Sequence, residues 1–193
     1  MASEVELRFL KETILKQHAR VIWMCGLSGA GKSTLASILD SELTLRGFIC
    51  RVIDGDDVRS GLNKGLGYTE EDRRENLRRV AEVARLFMNC GVITVVSFIT
   101  PTQSIRQMIR DIVGEPDYIE VFVNAPLEVC EKRDTKGLYK QARAGIIRNF
   151  TGIDSPFEPP GNPALSINTD TMDVAQSSCR LLEFVLPFIE YTK

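Results

Sequence analysis

The stretch Gly26-Leu27-Ser28-Gly29-Ala30-Gly31-Lys32-Ser33 constrains the architecture of this chain more than anything else in its sequence. It matches G-x-x-x-x-G-K-[ST], whose fixed positions would arise by chance in such a chain with a probability of about 1%. The glycines let the backbone curl until successive N–H groups face the β- and γ-phosphates of a nucleotide. Lys32 adds a point charge, and the Ser33 hydroxyl can ligate Mg2+. The flanks agree. Val21-Ile22-Trp23-Met24-Cys25 is an apolar run of strand length, and Thr34-Leu35-Ala36-Ser37-Ile38-Leu39 opens a helix whose N-terminal dipole favours an anion. A glycine-rich turn with an exposed lysine is the plainer alternative, and it leaves both flanks unexplained. Gly26 to Thr34 form the expected ATP-binding segment.

With 193 residues the chain can bury one α/β core, so a single domain over 1–193 is expected. Its 24 basic and 26 acidic residues leave a formal net charge of −2, and no global field favours nucleic acid or an anionic membrane. An anionic substrate must be met by local basic clusters. The 5 cysteines, Cys25, Cys50, Cys90, Cys130 and Cys179, include no C-x-x-C pair and read as reduced, mostly buried thiols of a cytoplasmic protein. The start Met1-Ala2-Ser3-Glu4-Val5-Glu6 lacks the apolar stretch of a signal peptide. The late run from Leu181 to Ile189 is broken by Glu183 and Pro187, so no membrane span is expected. The single histidine, His18, lies far along the chain from the candidate sites and is expected at the surface, which leaves no histidine or zinc chemistry.

Periodicity alternates helix and strand. A short amphipathic helix over about 4–17, within an N-terminal segment 1–19, carries Leu7, Leu10, Ile14 and Leu15 on one side. Strands are expected at 20–25, 49–53, 92–98, 118–124 and 164–168. A helix ends near Gly47, and a longer one starts at a Thr69–Asp72 capping box and stops at Gly91. Others lie near 103–111, after Pro126 at 127–133, and over 172–192. Residues 134–163 are rich in Gly, Lys, Arg and Pro and weak in pattern. This alternation predicts an α/β, three-layer P-loop NTPase-type domain with a mostly parallel sheet and helices on both faces. Its ligands should lie at the C-terminal ends of the strands.

Chemistry-bearing residues gather at those ends: the phosphate loop after the first strand, Asp54 and Asp56 after the second, Ser97 to Thr100 after the third. Beside a Mg-nucleotide, Asp54 can accept a proton from an attacking hydroxyl while Asp56 holds the metal through its water shell. Acids around Gly55 also make an ordinary solvated turn. Arg73 and Asn76 share one helix face one turn apart, with Arg59 upstream; a solvated charged face is the alternative. Lys132, Arg133, Lys136, Lys140, Arg143 and Arg148, against Asp134 alone, suggest a basic lid over about 134–163 that closes on phosphates, with a flexible basic loop as its equal competitor.

Taken together, Gly26 to Ser33, Asp54-Gly-Asp56, Gly61-Leu-Asn63-Lys64, Glu71-Asp-Arg73, Phe98-Ile99, Lys136-Gly-Leu-Tyr-Lys140 and Phe150-Thr-Gly-Ile153 resemble adenylylsulfate kinase across about residues 20–170. The K-G-L-Y-K and F-T-G-I elements are far more specific than the phosphate loop. The resemblance implies Mg-ATP-dependent phosphorylation of the 3′-hydroxyl of adenosine 5′-phosphosulfate, giving 3′-phosphoadenosine 5′-phosphosulfate for sulfate assimilation. It also implies a cytoplasmic homodimer. By matching position, Arg59, Arg73 and Asn76 would hold the phosphosulfate and ribose of the acceptor. Tyr68 and Phe150 would stack on its adenine, and Phe98 and Ile99 would line the same pocket. Lys136 would bridge to the transferring phosphate, and Arg133 would pack on the ATP adenine. Lys32, Asp54, Asp56 and Lys136 are then the expected catalytic set, in keeping with a reaction governed by positioning and charge neutralisation.

Two positions depart from the family pattern. Asp57 stands where members usually have Asn, and Thr100 where they commonly carry a serine sometimes described as a phosphoserine intermediate. No residue near Thr100 in sequence looks like a base for activating it, so no obligatory phosphoenzyme is expected. Preceding Pro101, its backbone is expected to be extended, fixing the turn after Phe98 and Ile99. Competing functions are a gluconate, shikimate or nucleoside monophosphate kinase, a regulatory nucleotide-binding module, and a catalytically silent homologue. A guanine-reading Asn-Lys-x-Asp is missing, because Asn63-Lys64-Gly65-Leu66 lacks the acid.

Overall fold

Side chains of the first strand sort by period two to opposite faces, and that sorting builds the layers. The computed structural model describes residues 3–191. In β1 (Val21–Cys25), Ile22 and Met24 enter one core, Val21 and Trp23 the other. Beside it lie β2 (Cys50–Asp54), β3 (Ile93–Ser97), β4 (Tyr118–Asn124) and β5 (Leu165–Asn168) in a five-stranded sheet of order β2-β3-β1-β4-β5. All pairings are parallel, so the connections are crossovers that carry helices to both faces. Leu35, Leu39 and Leu43 of α2 (Lys32–Leu45) pack on one face with Leu181 and Val185 of α8 (Val174–Ile189). Leu77, Val80 and Ala84 of α4 (Glu70–Asn89) pack on the other with Ile105 and Ile109 of α5 (Gln103–Val113). The expected three-layer α/β architecture is the one observed.

Most elements lie within a few residues of their expected bounds. Thr69 caps α4 by accepting the Asp72 N–H at 3.1 Å, yet only half of a capping box forms: the Thr69 hydroxyl, not its backbone N–H, donates to the Asp72 carboxylate at 2.8 Å. Residue 192, the expected end of the last helix, lies outside the described residues. Two short helices escaped the pattern: α3 (Gly55–Ser60), which begins beside the acidic pair, and α7 (Leu138–Arg143) inside the supposed lid. The connection 134–163 is only partly lid-like. Tyr139, Ala142, Phe150 and Thr151 are buried, so much of it is anchored. The remaining helix, α6 (Leu127–Arg133), follows Pro126 as expected.

The N-terminal helix α1 (Glu4–Leu15) docks by charge. Leu7, Leu10 and Ile14 are exposed, whereas Glu12 is buried, accepting the Ala19 N–H at 3.0 Å and pairing with Arg8, which also grips Asp117. His18 is at the surface as expected but only partly exposed, 3.3 Å from Glu12 and with its ring 5.1 Å from that of Tyr191. The cysteines are free but not mostly buried: Cys25 and Cys130 are, Cys50 is intermediate, and Cys90 and Cys179 are exposed. Among the described residues no helix is long and apolar enough to cross a membrane.

Candidate active site

The phosphate loop is an anion cradle because its carbonyls are used while the amides of Gly29 and of Gly31 to Ser33 are left open. Gly26 has φ +147, and a Cβ there would lie 2.3 Å from the Val123 carbonyl oxygen, which explains the glycine. Tyr139 donates its hydroxyl to the Ser28 carbonyl at 2.9 Å, Arg133 its guanidinium to that of Gly29 at 3.2 Å, and Thr169 its hydroxyl to that of Ala30 at 2.7 Å. Lys32 curls back, donating to the Gly26 and Leu27 carbonyls at 3.0 and 2.8 Å. The N–H groups of Gly29, Gly31, Lys32 and Ser33 find no protein acceptor among the described residues, and α2 begins there, so partial positive charge converges on the loop. Burial pushes the Lys32 ammonium down to about 8, against the opposing pull of nearby groups such as Asp54.

Asp54 ends β2 and caps α3 by accepting the Asp56 N–H at 3.1 Å. The Ser33 hydroxyl donates to its other oxygen at 2.7 Å and lies 3.4 Å from the Ser97 hydroxyl on the neighbouring strand. Burial alone would raise the Asp54 pKa. The bonds from Ser33, Asp56 and Ser97, with the Lys136 charge, outweigh it and hold the carboxyl below its usual range. Asp56 is different: its side chain is 74% exposed and pairs with Lys136 at the mouth of the cleft, which raises the lysine's pKa. Of the two carboxylates, Asp54 is therefore the one against the phosphate-loop hydroxyl. Asp57 is exposed and outside the cleft lining.

A cleft of about 640 Å3 runs from the loop to the acceptor side and is lined by Ser28 to Thr34, Asp54, Asp56, Arg59, Tyr68, Arg73, Asn76, Phe98, Ile99, Thr100, Arg133, Lys136 and Phe150. Gly26 and Leu27 lie behind it and contribute their carbonyls. The Arg59 guanidinium stacks 4.4 Å over the Tyr68 ring and donates to the Gly67 carbonyl at 3.0 Å. Arg73 donates to the Tyr68 carbonyl at 3.0 Å, to the Thr151 hydroxyl and to the Asn149 carbonyl, joining α4 to the F-T-G-I turn. Burial, then the neighbouring Arg59, lowers its pKa against the opposing pull of Asp154. Phe150 is buried edge-on to Tyr139, ring centres 5.0 Å apart. Sequence reasoning noted Ser97 only for its place at the end of the third strand and gave no role to Thr151 or Thr169. Thr151 stood inside the F-T-G-I motif, while Thr169 carried no signal beyond following a strand.

Thr100 corrects an expectation. Its φ is +50, left-handed and not extended. The buried Trp23 indole N–H donates to its hydroxyl at 2.8 Å, and Arg106, buried beside Glu120, donates to its carbonyl at 3.1 Å. Tertiary bonds override the local preference before proline. The same turn returns to the phosphate loop through the Gly26 N–H, which donates to the Ile99 carbonyl at 3.2 Å.

Residues 18–168 match the family model described as adenylylsulphate kinase. An adenylyl-sulfate kinase of Bacteroides thetaiotaomicron is 55% identical over 180 residues, covering 93% of this chain and 90% of that protein. One of Bacteroides fragilis is 54% identical over 177 residues, covering 92% and 88%. The Mycobacterium tuberculosis APS kinase solved in complex with AMPPNP and APS superposes with a TM-score of 0.84 at 40% identity, over 87% of this chain and 98% of that one. On this sequence match and this shared fold, the chain belongs to the adenylylsulfate kinase family.

Proposed function

We infer that this chain transfers the γ-phosphoryl of ATP to the 3′-hydroxyl of adenosine 5′-phosphosulfate, making 3′-phosphoadenosine 5′-phosphosulfate for sulfate assimilation. One observation carries the reading: a single cleft joins an unpaired amide cradle to a cationic, aromatic pocket of Arg59, Arg73, Asn76 and Tyr68, which suits a nucleotide-like anion as acceptor. A sugar or a shikimate ring would leave part of this charge unanswered.

The Ser33 hydroxyl and Asp54 carboxylate, 2.7 Å apart, are hard oxygen donors suited to a small divalent cation shared with the nucleotide. Bound Mg2+ would neutralise charge on the β- and γ-phosphates. This contact favours exchanging the expected roles of the acidic pair. Asp54, its charge stabilised by hydrogen bonds, suits the cation; Asp56, at the mouth, takes the proton of the attacking hydroxyl as the phosphoryl moves to that oxygen and ADP departs. Lys32 and Lys136 offset charge on the transferring group. Lys136 would leave Asp56 for it, freeing the carboxylate. Arg133, tied to Gly29 and Thr169, borders the donor side and would pack on its adenine. Arg59, Arg73 and Asn76 would hold the acceptor, with Tyr68, Phe98, Ile99 and Phe150 around its base. Thr100, its hydroxyl buried against Trp23, forms no phosphoenzyme. The protein would act in the cytoplasm as a homodimer; the exposed apolar residues of α1 offer it surface.

The test is product formation from Mg-ATP with adenosine 5′-phosphosulfate beside AMP, gluconate and shikimate. Strong preference for the first is expected. Equal turnover of another would overturn the assignment, and no turnover of any would identify a silent homologue.

A further inference from the structure

Asn63 is fully buried in the turn between α3 and α4, and its side chain has no part in the chemistry above. Its Nδ2 donates to the Asn76 side-chain oxygen at 2.9 Å and to the Asn76 carbonyl at 3.3 Å, while its own Oδ1 has no partner. Asn76 lines the cleft, and its Nδ2 bonds to no other described residue. An amide can turn end for end, offering a pocket either a donor or an acceptor. With the Asn76 oxygen engaged from behind, only the donor end remains for the cleft.

We propose that Asn63 is a positioning residue that sets acceptor specificity by locking the Asn76 amide with its NH2 toward the acceptor. Arg59, Arg73 and Asn76 then face the ligand with donors together, and they select one whose groups on that side are acceptor oxygens. Were Asn76 free to turn, its oxygen would face those oxygens for part of the time and repel them. The turn carrying Asn63 is braced independently: its N–H donates to the Val58 carbonyl at 2.9 Å, and Arg59 donates to the Gly67 carbonyl. Removing the Asn63 amide therefore frees Asn76 before it frees the turn. This rests on the reading of Asn76 as an acceptor contact.

A double-mutant cycle separates the two ideas. Asn63→Ala should raise the KM for adenosine 5′-phosphosulfate about tenfold, the scale of one lost hydrogen bond, with kcat and the ATP KM nearly unchanged. In an Asn76→Ala background the same substitution should add nothing. Asn63→Asp, the same size, should be worse than Asn63→Ala, because a carboxylate would accept from the Asn76 NH2 and turn its oxygen to the ligand. If Asn76→Ala leaves the acceptor KM alone, the acceptor reading of Asn76 fails. If Asn76→Ala raises it but Asn63→Ala has no effect, or the same effect in both backgrounds, the locking role fails. Should the variants not fold, the unsubstituted protein labelled with 15N-asparagine decides. The Asn63 amide protons should exchange slowly and stay put on acceptor binding while those of Asn76 exchange quickly and shift; the reverse would overturn the proposal.

Discussion

Lys32 is the charged group whose titration the fold moves furthest into an accessible range, and ATP binding should report it. With a pKa of about 8, the side chain is about nine-tenths charged at pH 7 and about one-tenth charged at pH 9. A polyphosphate in the cradle restores the positive form, so binding must take up protons above pH 7. The expected uptake is about 0.1 proton at pH 7, about 0.5 at pH 8 and about 0.9 at pH 9. Only the charged fraction binds well, so apparent ATP affinity should fall about tenfold between pH 7 and pH 9. In the nucleotide-free protein the charged lysine opposes folding by about 3 kcal/mol; that cost is present below pH 8 and disappears as pH rises toward the unfolded value of 10.5. The assay is calorimetric titration with Mg-ATP, without acceptor, in pairs of buffers of unlike ionisation enthalpy from pH 7 to 9. Uptake that stays flat across this range would refute the argument. So would an undiminished rise in Lys32→Arg, whose guanidinium does not titrate there.

The acidic pair should separate by readout: Asp54→Asn should raise the Mg2+ concentration needed for half-maximal rate, whereas Asp56→Asn should lower kcat with little change in Mg2+ requirement, and initial rates across a Mg2+ series check both. Thr100→Ala should cost about 1–3 kcal/mol by orphaning the Trp23 indole N–H, seen as a lower Tm, with catalytic loss chiefly in acceptor KM; Thr100→Ser should keep both near wild type, and a phosphothreonine that transfers at the turnover rate would defeat this reading. Gly26→Ala should abolish nucleotide binding, because its Cβ would strike the backbone of β4 2.3 Å away; nucleotide affinity by calorimetry checks it.

What the sequence made legible were features written into contiguous residues. Buried parallel strands such as Val21–Cys25 and Ile93–Ser97 read as apolar runs because both faces are covered. The phosphate loop is a backbone conformation that glycines specify locally. What stayed hidden depends on partners brought from elsewhere in the chain. Periodicity picked out Leu7, Leu10, Ile14 and Leu15 of the first helix, yet its buried residue is Glu12, held by Arg8, Ala19 and His18. Thr100 looked extended, yet Trp23 and Arg106 hold it left-handed. The acidic pair shows the division most sharply. Two carboxylates at the end of a strand announce a site but not its roles, since one residue separates them and both sit at the C-terminal end of β2. The choice is made by where α2 delivers Ser33 and where the connection before α7 delivers Lys136. Ser33 meets Asp54 because the loop that presents it rises from β1, with β3 between that strand and β2, and Ser97 of β3 lies beside them both. Strand order, which no local pattern encodes, thereby distributes the chemistry between two residues that composition and spacing leave equivalent.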